Sequence, residues 1–264
     1  MIFWPPILIF VATFDIVLYM YISKKLAILS CVAAAGCVKS DVILPPDFVY
    51  VPVDTPNYTI ATWQKMGDLT NPHVHIYIEG DGNSFNANGQ PSSDPTPHGK
   101  LVRNLAVQDS FANVVYIARP CQFIMDARCK QSDWTDGRFS PRIIDAMAHT
   151  IKHIAKDKKI IIIGYSGGAM ISGLVIQQHP EIKFEKWITV AGVLNHHKWT
   201  EYFGDMPLTE SLDMDSLPDV AQTHFVGGKD TTVPYDLARQ WAPHANLVLI
   251  KDATHNDFGD IKLF

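Results

Sequence analysis

The sequence predicts an α/β protein, in which a mostly parallel sheet is flanked by helices on both faces. Strand-like and helix-like segments alternate from about residue 47 onward, which is typical of parallel strands joined by crossover helices. Residues 159–163 contain four consecutive isoleucines, a pattern that fits a strand buried on both faces. The length of 264 residues and the lack of an internal repeat favour one domain.

The elements follow one another in a regular order. Two short β-rich segments, 48–53 and 58–64, predict an antiparallel opening hairpin. Further strands are predicted at 73–79, 113–118, 159–163, 186–192, 221–226 and 246–250. Helices are predicted at 100–108, 167–178 and 234–241, and another begins at Pro141 after the N-cap residue Ser140.

Residues 1–37 form an apolar N-terminal extension, which a linker at 38–46 joins to the predicted α/β domain at 47–264. Lys24 and Lys25 precede an apolar run, 26–38, that has the length of a signal-peptide core. Its end, Ala34-Ala-Gly-Cys37, resembles a bacterial lipobox, although Ala34 stands where leucine is usual. We therefore expect a lipoprotein signal, with Cys37 carrying the lipid and the domain facing the periplasm.

Other interpretations of this extension stay open. Met20 gives a lipoprotein signal of ordinary length and is the start that we favour. Alternatively, residues 1–22 span the membrane, and Lys24 and Lys25 would then hold the domain in the cytoplasm. A cleaved secretory signal is the third option.

Two cysteines remain in the predicted α/β domain. Cys121 and Cys129 lie eight positions apart in a loop-like stretch. In an oxidising compartment such a pair favours a disulfide, and the alternative is two unpaired buried thiols.

The segment Gly164-Tyr-Ser166-Gly167-Gly168 matches the pattern G-x-S-x-G. It directly follows the isoleucine strand and opens a predicted helix, which is the context of a nucleophile elbow. In so tight a turn Ser166 adopts a strained backbone conformation, and side chains at 164 and 168 would collide. The alternative is a structural glycine turn that caps a helix.

A serine nucleophile needs a base and an acid that orients the base. In this arrangement the acid and then the histidine follow the serine along the chain. Asp230 comes after the strand at 221–226, and His255 follows the last predicted strand. Asp213 and Asp215 are alternative acids, but they lack the glycine turn that precedes Asp230.

An oxyanion hole needs two backbone N–H groups. Gly167 is the predicted first donor, and Asp81, with Gly82 as the alternative, is the predicted second. Glu79 and Asp81 place two carboxylates near this site. We therefore expect Arg119 or Arg138 to pair with one of them.

The other functional classes find little support in the composition. A net charge of −5 gives no electrostatic reason to expect nucleic acid. His73 and His75 are expected to be packed or hydrogen-bonded. His196 and His197 are expected to be solvated loop residues, and the alternative is that they line the pocket. No metal site and no cofactor are predicted.

The chain from about residue 47 to 264 resembles the α/β-hydrolase superfamily, and more narrowly a little-characterised proteobacterial group within it. The segments that carry the narrower resemblance are Tyr77-Ile-Glu-Gly-Asp-Gly82, Asp94-Pro-Thr-Pro97, Arg119-Pro-Cys-Gln122 and Pro207-Leu-Thr-Glu-Ser-Leu212. The resemblance implies the fold and a Ser-His-Asp triad, but no particular substrate.

The expected activity is that of a serine hydrolase that cleaves a carboxylic or lipid-like ester through an acyl-enzyme. Pocket walls are expected from the loops 83–97, 120–139 and 193–219, the last of which supplies apolar surface for an acyl chain. The alternatives are a serine peptidase of the same fold and a catalytically silent binding protein of the envelope. The oligomeric state stays open.

Overall fold

The computed structural model describes residue 42 and residues 44–264. The strands are β1 (Val49–Tyr50), β2 (Val53–Asp54), β3 (Thr59–Ile60), β4 (Thr62–Met66), β5 (His73–Ile78), β6 (Asn113–Ile117), β7 (Lys159–Tyr165), β8 (Phe184–Val190), β9 (Ala221–Gly227) and β10 (Leu247–Ile250). The helices are α1 (Leu101–Gln108), α2 (Pro141–Ala155), α3 (Gly167–Gln178), α4 (His196–Phe203) and α5 (Tyr235–Trp241). A short 3₁₀ turn covers Gln131–Trp134.

Eight strands form one sheet in the order β1-β4-β6-β5-β7-β8-β9-β10. From β6 to β10 every neighbouring pair is parallel, whereas β4 pairs antiparallel with both β1 and β6. The predicted α/β class and the mostly parallel sheet are therefore confirmed. Because the carboxyl ends of parallel strands share one edge, the loops after β5, β7, β9 and β10 meet there.

Helices cover both faces of this sheet. Ile160 and Ile162 of β7 belong to a hydrophobic cluster with α2 and α3. Ile163, which points the other way, packs in a second cluster that includes residues of α1. Side chains alternate across a strand, so four consecutive isoleucines fill both clusters at once.

The opening hairpin is antiparallel, as predicted, but it is broken. β1 pairs with β4 in the main sheet, and β2 pairs with β3 in a separate two-stranded sheet. Helix α4 was not predicted, because 193–219 has the composition of a loop. Helix α2 begins at Pro141 as predicted, although the Ser140 side chain makes no capping hydrogen bond.

Candidate active site

Ser166 lies in the turn between β7 and α3, at the carboxyl edge of the sheet. Its φ of 50° and ψ of −122° are unusual for a residue with a side chain. Two hydrogen bonds hold this conformation: Ser166 N donates to Val190 O at 3.1 Å, and Val193 N donates to Ser166 O at 3.0 Å. The backbone strain is thus maintained by the neighbouring strand β8 and the loop that follows it.

The glycines at 164 and 168 make close approaches that a side chain would prevent. A Cβ on Gly164 would lie 2.5 Å from Gly168 O, and a Cβ on Gly168 would lie 2.5 Å from Glu79 O. The elbow is therefore packed against its own helix and against the end of β5.

The structure brings Ser166, His255 and Asp230 together. His255 Nε2 lies 3.1 Å from Ser166 Oγ, and His255 Nδ1 lies 2.9 Å from Asp230 Oδ2. A carboxylate only accepts hydrogen bonds, so Nδ1 carries the proton and Nε2 can accept from the serine hydroxyl. This is the hydrogen-bonding order that a serine nucleophile and its general base require.

Asp230 is held more tightly than its partner histidine. Its side chain is fully buried, while that of His255 is 13% exposed. Asp230 Oδ1 accepts from Thr232 N and Val233 N, each at 2.8 Å. The carboxylate is therefore fixed by backbone donors and leaves Oδ2 for the imidazole.

Tyr165 contacts the loop that carries His255. Its hydroxyl donates to His255 O at 3.1 Å and to Asn256 Oδ1 at 2.9 Å, and its ring centroid lies 5.3 Å from that of His255. Its role was missed in the sequence because position 165 of the elbow pattern accepts any residue.

The predicted oxyanion donors lie beside the nucleophile. Gly167 N is at the first position of α3, where helical N–H groups have no intrahelical acceptor. Asp81 N, in the loop after β5, also lacks an acceptor among residues 44–264. A Cβ on the neighbouring Gly80 would lie 3.1 Å from Ser166 Cβ, so this loop adjoins the serine.

Both arginines considered in the sequence pair with the same carboxylate. Arg119 Nη1 and Asp81 Oδ1 form one ion pair, and Arg138 Nη1 donates to Asp81 Oδ2 at 2.8 Å in the other. Burial by itself would raise the pKa of Asp81, but the two guanidinium groups outweigh it and lower that pKa. The carboxyl group of Asp81 therefore stays ionised, and the two guanidinium groups balance its negative charge.

Glu79 shows the opposite behaviour. The residue is 4% exposed, and burial raises its pKa despite hydrogen bonds from the Tyr116 hydroxyl and Gly80 N. Burial therefore disfavours the charged form of Glu79, and the hydrogen bonds from Tyr116 and Gly80 oppose this effect only in part.

A cavity of about 440 Å³ opens at Ser166 and His255. Its apolar wall includes residues from all three predicted wall loops and one residue of α1, namely Phe85, Leu101, Phe139, Val193, Trp199 and Leu208. Polar groups lie near the nucleophile and at the entrance, among them Asp81, Arg138, Lys100 and Asn256. The cavity therefore combines a reactive polar end with an apolar wall.

The expectation for His196 was wrong. His196 begins helix α4, is 5% exposed, and lines this cavity; His197 is exposed, as expected. The alternative acid Asp213 accepts from the backbone N–H groups of His196 (3.2 Å), His197 (2.9 Å) and Met214 (2.9 Å). Asp213 therefore stabilises the start of α4 and is not the partner of His255.

His73, His75 and the pair Cys121 and Cys129 match their predictions. His75 Nδ1 lies 2.7 Å from Asp109 Oδ2, and His73 Nε2 lies 3.2 Å from Glu185 Oε2. Cys121 and Cys129 form a disulfide with a Cα–Cα distance of 5.8 Å. Over the described residues, no cluster of three or more His, Cys, Asp or Glu side chains is arranged to hold a metal ion.

The predicted signal, the alternative span at 1–22 and the lipidation site Cys37 lie outside the described residues. Within the part that the structure describes, no helix is long and apolar enough to cross a membrane.

The sequence matches no protein-family model and no curated protein. The structure, in contrast, is similar to solved α/β serine hydrolases. A member from Xanthomonas campestris described as lacking a lid has a TM-score of 0.52 at 15% identity, covering 81% of this chain and 88% of its own. A homologue from Coxiella burnetii has a TM-score of 0.54 at 16% identity, covering 82% and 92%.

An esterase from Pyrococcus furiosus has a TM-score of 0.52 at 13% identity, covering 79% of this chain and 82% of its own. These identities are low, so the similarities establish the fold and leave the chemistry to the site itself. The described chain has the α/β-hydrolase fold.

Proposed function

We propose that the protein is a serine hydrolase that cleaves carboxylic esters through an acyl-enzyme, with Ser166, His255 and Asp230 as its triad. The observation that carries this proposal is the pair of hydrogen-bond distances, 3.1 Å from His255 to Ser166 and 2.9 Å from His255 to Asp230. The first distance lets His255 take the serine proton, and the second lets Asp230 orient and stabilise the imidazole.

In the proposed mechanism Ser166 Oγ attacks the ester carbonyl while His255 Nε2 takes the serine proton. His255 returns that proton to the leaving alkoxide, and Asp230 stabilises the imidazolium that exists between these events. The N–H groups of Gly167 and Asp81 stabilise the oxyanion. Water then attacks the acyl-enzyme by the same sequence, and the acid is released.

An ester is the proposed substrate because of the cavity wall. Phe85, Phe139, Trp199 and Leu208 offer apolar surface to an acyl chain, and the fold is shared with an esterase and with serine hydrolases. The volume of about 440 Å³ fits a small or medium-sized ester better than a folded protein substrate.

Covalent labelling with a fluorophosphonate tests the activated serine. Intact mass should show one adduct on the wild type and none on Ser166→Ala or His255→Ala. The control variant is Ser140→Ala, because the Ser140 side chain at the start of α2 makes no capping hydrogen bond. This variant should be labelled to the same extent as the wild type. An unlabelled wild type that is folded would overturn the proposal and favour a silent binding protein.

Hydrolysis of p-nitrophenyl esters of increasing chain length then tests the substrate class. The apolar wall predicts a higher kcat/KM for medium-chain esters than for acetate. A labelled protein that cleaves peptides but none of these esters would favour the peptidase instead.

We also propose that Cys37 is lipidated and that the protein lies in the bacterial cell envelope, facing the periplasm. The lipobox-like end of the apolar run supports this proposal, and so does the Cys121–Cys129 disulfide, because such bonds persist in oxidising compartments. Mass spectrometry of the protein from cells should find a lipid on Cys37. The Cys37→Ser variant should lose this lipid. A variant that is recovered from membranes with the same N-terminus and the same mass pattern as the wild type would contradict the proposed lipidation.

A further inference from the structure

Gln122 lies in the turn of residues 119–123, directly after β6, and is only 2% exposed. Its neighbours on both sides, Cys121 and Phe123, have positive φ values of 69° and 62°. Side chains rarely adopt this conformation, and two such residues around one buried glutamine store conformational strain. Cys121 is also tied to Cys129 by the disulfide. The turn is thus constrained around Gln122, which the triad does not use.

The side-chain amide of Gln122 connects this turn to the loop after β5. Gln122 Nε2 donates to Gly80 O at 2.9 Å, and Gln122 Oε1 accepts from Arg119 N at 3.0 Å. Each half of the amide therefore has a partner of the right type, which fixes its orientation. Arg119 in turn uses its guanidinium to hold the Asp81 carboxylate.

The hydrogen bond from Gln122 to Gly80 O also determines the direction of the Asp81 N–H. The carbonyl of Gly80 and the N–H of Asp81 belong to one peptide group, which is planar and trans, so that they point in opposite directions. By holding that oxygen, Gln122 turns the Asp81 N–H away from the turn. The next peptide group is also held, because Ser84 Oγ donates to Asp81 O at 2.7 Å.

The Asp81 N–H has no acceptor of its own in the described residues, and its loop adjoins Ser166. Asp81 lines the cavity at Ser166, so a backbone donor there that has no protein acceptor is available to a bound ligand. The ion pairs with Arg119 and Arg138 hold the side chain of the same residue on a second side.

We propose that Gln122 is a positioning residue of the oxyanion hole, which aims the Asp81 N–H at the substrate oxyanion through its hydrogen bond to Gly80 O. This inference rests on the proposed serine hydrolase function. Its consequence is that Gln122 acts on the transition state, where negative charge has developed, and little on binding of the neutral ester.

Two variants of the full-length chain test this role. Gln122→Met keeps the length of the side chain but loses both hydrogen bonds. Gln122→Glu keeps an acceptor for Arg119 N, and its assays extend to pH values at which the introduced carboxyl group is ionised and cannot donate to Gly80 O. For both we expect kcat on a p-nitrophenyl ester to fall about 10- to 100-fold, with KM changed less than about threefold. The Ki of an alkyl boronic acid, whose tetrahedral adduct places an oxygen in the hole, should rise in parallel with the loss of kcat.

Gln177→Met is the matched control, because Gln177 Nε2 also donates to a backbone carbonyl, Ser216 O at 2.7 Å, but at the far end of α3. Its kcat and boronate Ki should equal those of the wild type. Thermal unfolding accompanies each assay, and if Gln122→Met does not fold, Gln122→Glu, which preserves size and one hydrogen bond, decides the question.

Folded Gln122 variants with wild-type kcat, or with a loss confined to KM, would overturn the inference while leaving the hydrolase proposal intact. A wild type that neither labels nor cleaves esters would instead defeat the hydrolase proposal itself.

Discussion

At position 81 a carboxylate lies beside the proposed nucleophile, and two buried arginines hold it in place. Arg119 and Arg138 are 4% and 6% exposed, and each pairs with one oxygen of Asp81. A Cβ on Gly167 would lie within 2 Å of Asp81 Oδ1, so the carboxylate occupies the space that a side chain after the nucleophile would need. The glycine at 167 is thus explained by Asp81.

Arg119→Met should therefore affect both stability and activity. It leaves Asp81 with one partner, and we expect the free energy of unfolding to fall by about 3 kcal/mol, at the low end for a broken buried pair because Asp81 keeps some exposure. Lys152→Met is the control, since Lys152 pairs with Glu181 at the surface and its loss should cost about 1 kcal/mol or less. Urea unfolding measures both; equal effects would contradict the prediction.

His224 gives the molecule a pH-dependent stability. It is fully buried between Thr189 Oγ1 and Gln222 Oε1, each 2.9 Å from a ring nitrogen. Burial lowers the pKa of His224 to about 4, compared with about 6.5 in an unfolded chain. Between these values the unfolded chain binds a proton that the folded chain does not, so stability is lost as the pH falls from about 6.5 to about 4.

The loss attributable to His224 should be about 3 kcal/mol in the free energy of unfolding. His224→Gln cannot take up that proton and should lose less stability over the same pH range. Urea unfolding of both proteins at several pH values measures the difference, and parallel curves would count against the assignment.

At the scale of elements, helix α4 determines one wall of the cavity. It begins after Asn195, whose side chain accepts from Lys198 N at 2.7 Å, and ends at Gly204 in the left-handed conformation. Trp199 of this helix lines the cavity and donates from Nε1 to Thr232 O at 2.7 Å. Its N-cap and C-cap residues are ordinary sequence signals, which the loop-like composition of 193–219 concealed.

Asn195→Ala should destabilise the start of α4 and move this wall. We expect the free energy of unfolding to fall by about 1 kcal/mol and KM for an ester to rise, because Trp199 loses its fixed position. Asn195→Asp keeps the capping oxygen and should stay close to the wild type. If both variants behave alike in urea unfolding and steady-state kinetics, the cap is not what holds the helix.

At the scale of the whole molecule, the site depends on contacts between segments that are far apart in sequence. The residues of the His255–Ser166 pair are separated by 89 positions, and those of the Arg138–Asp81 pair by 57. The disulfide closes a local loop of eight positions. Because Cys121 directly precedes Gln122, the disulfide also constrains the turn that is hydrogen-bonded to the loop after β5.

Reduction of the Cys121–Cys129 disulfide should therefore lower both stability and kcat. The free energy of unfolding should fall by about 2–3 kcal/mol on entropic grounds, and kcat should fall because the turn that holds Gln122 loosens. Thermal unfolding and ester hydrolysis with and without dithiothreitol measure these effects. The double variant Cys121→Ser, Cys129→Ser should resemble the reduced protein and not respond to the reductant; a response would assign the effect elsewhere.

The sequence by itself determined the α/β class, the position of Ser166 and the order of Asp230 and His255. These features depend on local patterns: the isoleucine strand, the glycines of the elbow and the turns after β9 and β10. Buried strands and tight turns restrict which residues can occupy adjacent positions. Their patterns can therefore be recognised in a single sequence.

Only the tertiary structure decided that Arg119 and Arg138 share Asp81, that His196 is buried, and that Gln122 holds Gly80. The contacts of Asp81 and of Gly80 join loops whose own sequences restrict their conformations only weakly, and His196 at the start of α4 is covered by Phe139. Their partners are chosen by burial, because a charge or amide taken out of water must find a complementary group wherever the fold brings one.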